Sequence, residues 1–209
     1  MITISRLYDD YPTATRAVAE LERAGVPSSD ISIVANNAEG WYDSDRPGMT
    51  RRVDRDLDGV DDRAEGARTG AGIGAALGGI AGLLAGIGMV ALPGLGPVVA
   101  AGWLVSTLTV AVGGGAVGGI IGALTQAGVS DEDAHAYAEG IRRGGTLVTA
   151  RVPDAERIRF ESILDNSAVD MRDRMNTWEQ GGWSRFDPAA RPLTAEEIRR
   201  ERETYRASS

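Results

Sequence analysis

With 209 residues and a mass of 22.0 kDa, the chain has room for one domain of ordinary size or two small ones, which excludes a large multidomain enzyme. All 22 basic residues are arginine, cysteine is absent and His135 is the single histidine, so P-loop lysine, Schiff-base, thiolate, zinc-cluster and disulfide chemistry each lack their essential residue. A net charge of -8 argues against binding a polyanion, and no nucleic-acid partner is expected.

The alternation Ile2-Thr3-Ile4-Ser5-Arg6-Leu7 predicts a half-buried strand. Interrupted by Arg6, Asp9 and Asp10, this start lacks the apolar core of a secretory signal, and the cysteine-free chain fits a cytosol-facing protein. Tyr11-Pro12-Thr13 opens a helix with Ala17, Val18, Leu21 and Ala24 at helical spacing, ended by Gly25. Ile31-Ser32-Ile33-Val34-Ala35 is a second strand, so residues 1–38 read as a β-α-β unit.

Residues 39–68 form an acidic linker. Within it, Asp54, Asp56, Asp58, Val60, Asp62 and Glu65 fit the twelve-position calcium loop: carboxylate oxygens at alternate positions, a turn at Gly59, a backbone carbonyl at Val60 and a closing glutamate. Asp61 stands where that loop has a buried apolar residue, and no entering helix is evident. A solvated acidic linker is therefore the competing reading of this candidate calcium site.

No charged side chain occurs from Thr69 to Ser130. Gly70, Gly74, Gly78, Gly82 and Gly86 recur every fourth residue, and Gly114, Gly118 and Gly122 repeat the stripe. Glycine costs a helix roughly 1 kcal/mol relative to alanine, so such a zipper needs the close approach of another helix to compensate. Two runs, joined by the turn Leu92-Pro93-Gly94-Leu95-Gly96-Pro97, are each long enough to cross about 30 Å of hydrocarbon. Residues 69–129 thus predict a helical hairpin in the membrane. Arg51, Arg52, Arg55, Arg63 and Arg68 before it, and Arg142, Arg143 and Arg151 after it, put both termini in the cytoplasm. The alternative is a cytoplasmic homo-oligomer that buries the hairpin between subunits. Thr69-Gly70-Ala71-Gly72-Ile73-Gly74 follows a polar linker and no buried strand, so it is not read as a phosphate-binding loop.

Residues 130–175 supply a connecting helix from Asp131 to Arg143 with Ser130 as its N-cap, a strand Thr146 to Val152, a helix bearing Ile158, Ile163 and Leu164, and a short closing strand around Ala168 to Met171. Together with residues 1–38 this predicts an α+β, ferredoxin-like split β-α-β/β-α-β domain: four antiparallel strands, helices on one face, and the glycine-zipper α-helical hairpin inserted. His135 reads as a surface or interface histidine. In the tail, 176–209, Thr194 and Glu197 form a capping box, while Trp178, Trp183 and Phe186 either dock the tail on the domain or lie at a membrane interface. No catalytic residue emerges, and no cofactor beyond the calcium candidate.

Ala17 to Val26 with Ile31 to Ala35, Gly94 to Trp103, and Ala127 to Val148 resemble the bacterial general stress protein 17M-like family, over most of residues 1–175. The resemblance implies a stress-associated protein with a glycine-rich hydrophobic insertion and no established catalytic residue. The expectation is therefore a non-enzymatic, self-associating protein of the bacterial inner membrane, with the bilayer and further copies of itself as partners.

Overall fold

The computed structural model describes residues 1–42, 83, 87–105 and 119–208. Strands β1 (Ile2–Tyr8), β2 (Ile31–Asn36), β3 (Gly88–Leu92), β4 (Gly96–Gly102) and β5 (Thr146–Val152) form one antiparallel sheet in the order β1-β5-β2-β4-β3. The helices are α1 (Tyr11–Arg23), α2 (Gly119–Gln126), α3 (Asp131–Arg142), α4 (Arg157–Asp165), α5 (Met171–Gln180) and α6 (Ala195–Ser208).

The local signals are realised where they are written. Asp10 caps α1 by accepting from the Thr13 N–H at 2.8 Å, and Ser130 caps α3 by accepting from Asp133 at 3.1 Å. Asp131, Glu132 and Asp133 then place negative charge in the first turn of α3, where the helix dipole favours it.

Residues of opposite parity on the strands enter two separate cores. Ile4, Tyr8, Ile31, Ile33, Val148 and Val152 pack under α1 and α4, whereas Leu7, Val34, Val98, Ala100 and Leu147 pack under α2 and α3. Both faces of the sheet are therefore covered, not one as expected, because the connecting helix α3 lies across the face that the two β-α-β units leave bare. Every residue of β2 and all but Arg151 of β5 are buried.

The uncharged segment departs furthest from its reading. Residues 88–102 are not halves of two long helices but a β-hairpin that extends the sheet from β2. The turn is where the sequence put it: the Leu95 N–H donates to the Leu92 carbonyl at 3.1 Å, with Pro93 leading and Gly94 at φ 74°. Its flanks carry Val90, Val98 and Val99, whose branched side chains suit a pleated surface, and Pro93 and Pro97 exclude a continuous helix. An apolar run of this length fits a buried strand as well as a buried helix, and the open edge of β2 decides between them. Among the described residues no helix is long and apolar enough to cross a membrane. Gly70, Gly74, Gly78, Gly82, Gly86, Gly114 and Gly118 lie outside the described residues, as do Asp54, Asp56, Asp58, Val60, Asp62 and Glu65. Gly122 is half-buried in α2.

Two boundaries also shift. The closing strand at Ala168 to Met171 does not form; Asp170 caps α5, which starts at Met171, and of this segment only the Val169 N–H bonds to β1, donating to the Leu7 carbonyl at 2.8 Å. The linker is part of the fold as far as Tyr42, which is 7% exposed and exchanges two 2.9 Å hydrogen bonds with Asn37.

Gly94 tests the hairpin and what rests on it. A Cβ there would stand 2.8 Å from Phe186 Cζ and 2.9 Å from the Asp187 carbonyl oxygen, at a positive φ. Gly94→Ala is expected to destabilise the protein by roughly 1–3 kcal/mol in urea unfolding, with the tail tryptophans moving into water first.

Candidate functional site

Two clefts among the described residues gather the larger clusters of polar side chains near the surface. The first lies where α5 and α6 fold back on the end of α3. Glu139 of α3 is fully buried and accepts from Arg143 Nε at 2.7 Å and from Arg142 Nη1 at 3.2 Å. Arg143 extends this to α6, donating from Nη1 to Glu201 Oε1 at 2.8 Å, and its guanidinium stands 5.1 Å from the centre of the Trp178 ring on α5. The Trp178 indole N–H donates to the Tyr205 hydroxyl at 2.7 Å, and that hydroxyl donates to Glu201 at 2.5 Å. Burial, followed by the hydrogen bond to Glu201, pushes the Tyr205 phenol above its ordinary range. The resulting cleft, about 540 Å³, is lined by Arg143, Trp178, Leu193, Glu197, Arg200 and Tyr205.

This arrangement holds the tail down. Trp178 is 2% and Phe186 4% exposed; Trp183 meets Trp178 edge to face with centroids 5.5 Å apart. Phe186 enters the core with Leu92, Leu95 and Tyr137, so of the two readings of these aromatics it is docking that holds. The capping box forms as read: the Thr194 N–H donates to Glu197 Oε2 at 2.9 Å and the Glu197 N–H to Thr194 Oγ1 at 3.3 Å. Arg191 adds two hydrogen bonds to the same carboxylate, which with the Thr194 bonds hold it well below the usual carboxylate range. Arg202 of α6 pairs with Glu39, tying the tail to the chain beyond β2. Trp178, Phe186 and Arg202 thus hold this segment against the rest of the chain.

The second cleft, also about 540 Å³, runs along the outer edge of β1. Its floor is the backbone from Met1 to Arg6. One wall is the turn at Gly128 with Tyr137 behind it, and the other is α4 through Arg157 and Glu161, an ion pair of 3.0 Å. Tyr137 donates to the Ser5 carbonyl at 2.8 Å, and burial pushes its phenol up to about 12. Arg6 pairs with Asp165 at 2.5 Å.

In each cleft a hydroxyl donates to a carboxylate, Tyr205 to Glu201 at 2.5 Å and Ser130 to Asp133 at 2.6 Å, and most of the charged groups pair with one another. Among the described residues no three His, Asp or Glu side chains converge as metal ligands. Neither cleft was foreseen from the sequence. The signal for the first was Glu139 with arginines three and four residues on, a spacing that puts both on the carboxylate's face of the helix.

His135 corrects its reading. It is 7% exposed, covered by the tail, with Nε2 3.8 Å from Asp131 Oδ1. Burial, then the charge of Arg185, lowers its pKa from 6.5, with Asp131 opposing. A base whose pKa falls on folding leaves stability intact above 6.5 and withdraws it as the pH drops below that value. Stability is accordingly expected to decline on acidification from pH 7 towards 5, and His135→Leu to flatten that slope in melts across the range. Phe186→Ala is expected to cost about 3–5 kcal/mol in equilibrium unfolding, the range for an aromatic removed from a packed core.

No protein-family model, curated protein or solved structure matches this chain.

Proposed function

We propose that the chain is a non-enzymatic binding module that works as a homo-oligomer in the cytoplasm, in the stress-associated role that its family resemblance implies. The observation that carries this reading is the position of Gly88–Leu92 and Gly96–Gly102. These stretches, apolar enough to suggest lipid, are strands in the sheet, with Val98, Val99, Ala100 and Ala101 at most 1% exposed. A second transmembrane helix beginning at Val98 would have to dismantle β4. The core is ferredoxin-like in the proposal: β1-α1-β2 and β5-α4 are its two units, and the Val169 contact stands where a fourth strand would run beside β1. The hairpin β3-β4 widens that sheet.

The glycine stripe Gly70, Gly74, Gly78, Gly82 and Gly86 is then the contact between subunits, since a face of small residues permits the backbones of two helices to approach. The pairing of Arg143 with Glu201 and of Arg157 with Glu161 in the two clefts supports binding over catalysis. Fractionation decides between this and the membrane reading. After a carbonate wash the protein is expected in the supernatant as a defined oligomer, and retention in the membrane pellet would restore the lipid-anchored hairpin. Gly78→Leu is expected to lower the oligomer's mass in crosslinking.

A further inference from the structure

We infer that, whatever the oligomeric state, Met89 is a site of reversible oxidation by hydroperoxides, and that Asn37 confines the reaction to one side of the sulfur, so that a single sulfoxide epimer forms. Strand β3 ends the sheet, and Met89 on it is 52% exposed. Gly88 before it has no side chain, and a Cβ there would meet nothing within 4 Å, so the approach from solvent is open.

The other side of the sulfur is occupied. Asn37 Nδ2 donates to Met89 Sδ at 3.3 Å, and Asn37 itself is 4% exposed. Tyr42 fixes this amide in place: its carbonyl accepts from the same Nδ2 at 2.9 Å, and its N–H donates to Asn37 Oδ1 at 2.9 Å. Exchanging the oxygen and nitrogen of the amide would break both bonds, so the group turned towards the sulfur is a donor.

A thioether sulfur carries two lone pairs, and oxidation at each gives a different sulfoxide epimer. The Asn37 N–H engages one and leaves the other to solvent. There the sulfur attacks the terminal oxygen of a hydroperoxide: an S–O bond forms as the O–O bond breaks, and the sulfur is oxidised by two electrons. The proton of the transferred hydroxyl passes to the departing oxygen, giving the sulfoxide and water or an alcohol.

The fold has little stake in the thioether. Met89 belongs to neither core, whereas Met171 packs against the core under α2 and α3. Oxidation at Met89 therefore places a polar group at the sheet edge without opening a cavity. Each class of methionine sulfoxide reductase acts on one epimer, so a single class restores this site, whereas unselective damage needs both.

Hydrogen peroxide treatment of the folded full chain, then digestion and incubation of the peptides with each reductase class, tests this by mass spectrometry. One class is expected to return the Met89 peptide to the thioether and the other to leave it oxidised, while the same peptide oxidised after digestion is reduced in part by each. Asn37→Asp keeps the acceptor for the Tyr42 N–H and removes the donor to the sulfur, and is expected to yield both epimers at Met89. Should that variant fail to fold, the folded and digested chains still decide whether the fold selects an epimer. Both epimers from the folded native chain overturn the inference, as does a Met89 that stays reduced while Met1, 74% exposed, is oxidised. A single epimer that persists in a folded Asn37→Asp overturns the role of Asn37.

Discussion

Strand β5 sits between β1 and β2 and has neighbours above, below and on both sides. That position is stable only if both faces of the sheet are covered, because Leu147 on one face and Val148 on the other are each fully buried. Helices α1 and α4 cover the Val148 face, and α2 and α3 cover the Leu147 face. At about 25 cal/mol per Å² of apolar surface, exposing either face would remove more stabilisation than a small domain has to spare. The polar row within this core is matched internally: Ser5 Oγ donates to Thr149 Oγ1 at 3.2 Å, and Ser32 Oγ accepts from the Leu104 N–H at 2.9 Å.

The same constraint explains the hairpin. With β5 on one side of β2, the other side of β2 would present unpaired main-chain groups beside a buried face, and β4 fills that edge. Gly102 makes the fit possible: a Cβ there would fall 2.1 Å from the Ile31 carbonyl oxygen, so only glycine lets β4 lie this close to the start of β2. The apolar character of Val98 to Ala101 is thus spent on the sheet.

Helix α3 carries the second constraint. A carboxylate with no exposure, Glu139, is tolerable only with its charge matched, and Arg142 and Arg143 match it from the same helix. Arg143 then reaches Glu201, so the charge balance of the domain core includes the tail. Removing the arginines would leave the Glu139 charge buried and uncompensated, at a cost of about 3–5 kcal/mol, whereas the part-exposed Arg143–Glu201 pair adds a weaker tie from α3 to α6. The groups that hold the tail are thus engaged with one another, and β1 and β3 remain as the two edge strands of the sheet.

What the sequence determined by itself is local. Alternation in Ile2 to Leu7, helical spacing in Ala17, Val18 and Leu21, the caps Ser130 and Thr194 with Glu197, and the Pro93-Gly94 turn each act within a few residues, and each is found where it was read. The tertiary structure decided what depends on distant partners. Val98 to Ala101 is strand because β2 has an open edge, α3 makes the sheet two-sided because its apolar face meets Leu7, Val34 and Leu147, and His135 is buried because Phe186 returns over it. Periodicity states which side of an element is apolar, but not which distant surface will cover it, since that choice is made by burial summed over the whole chain.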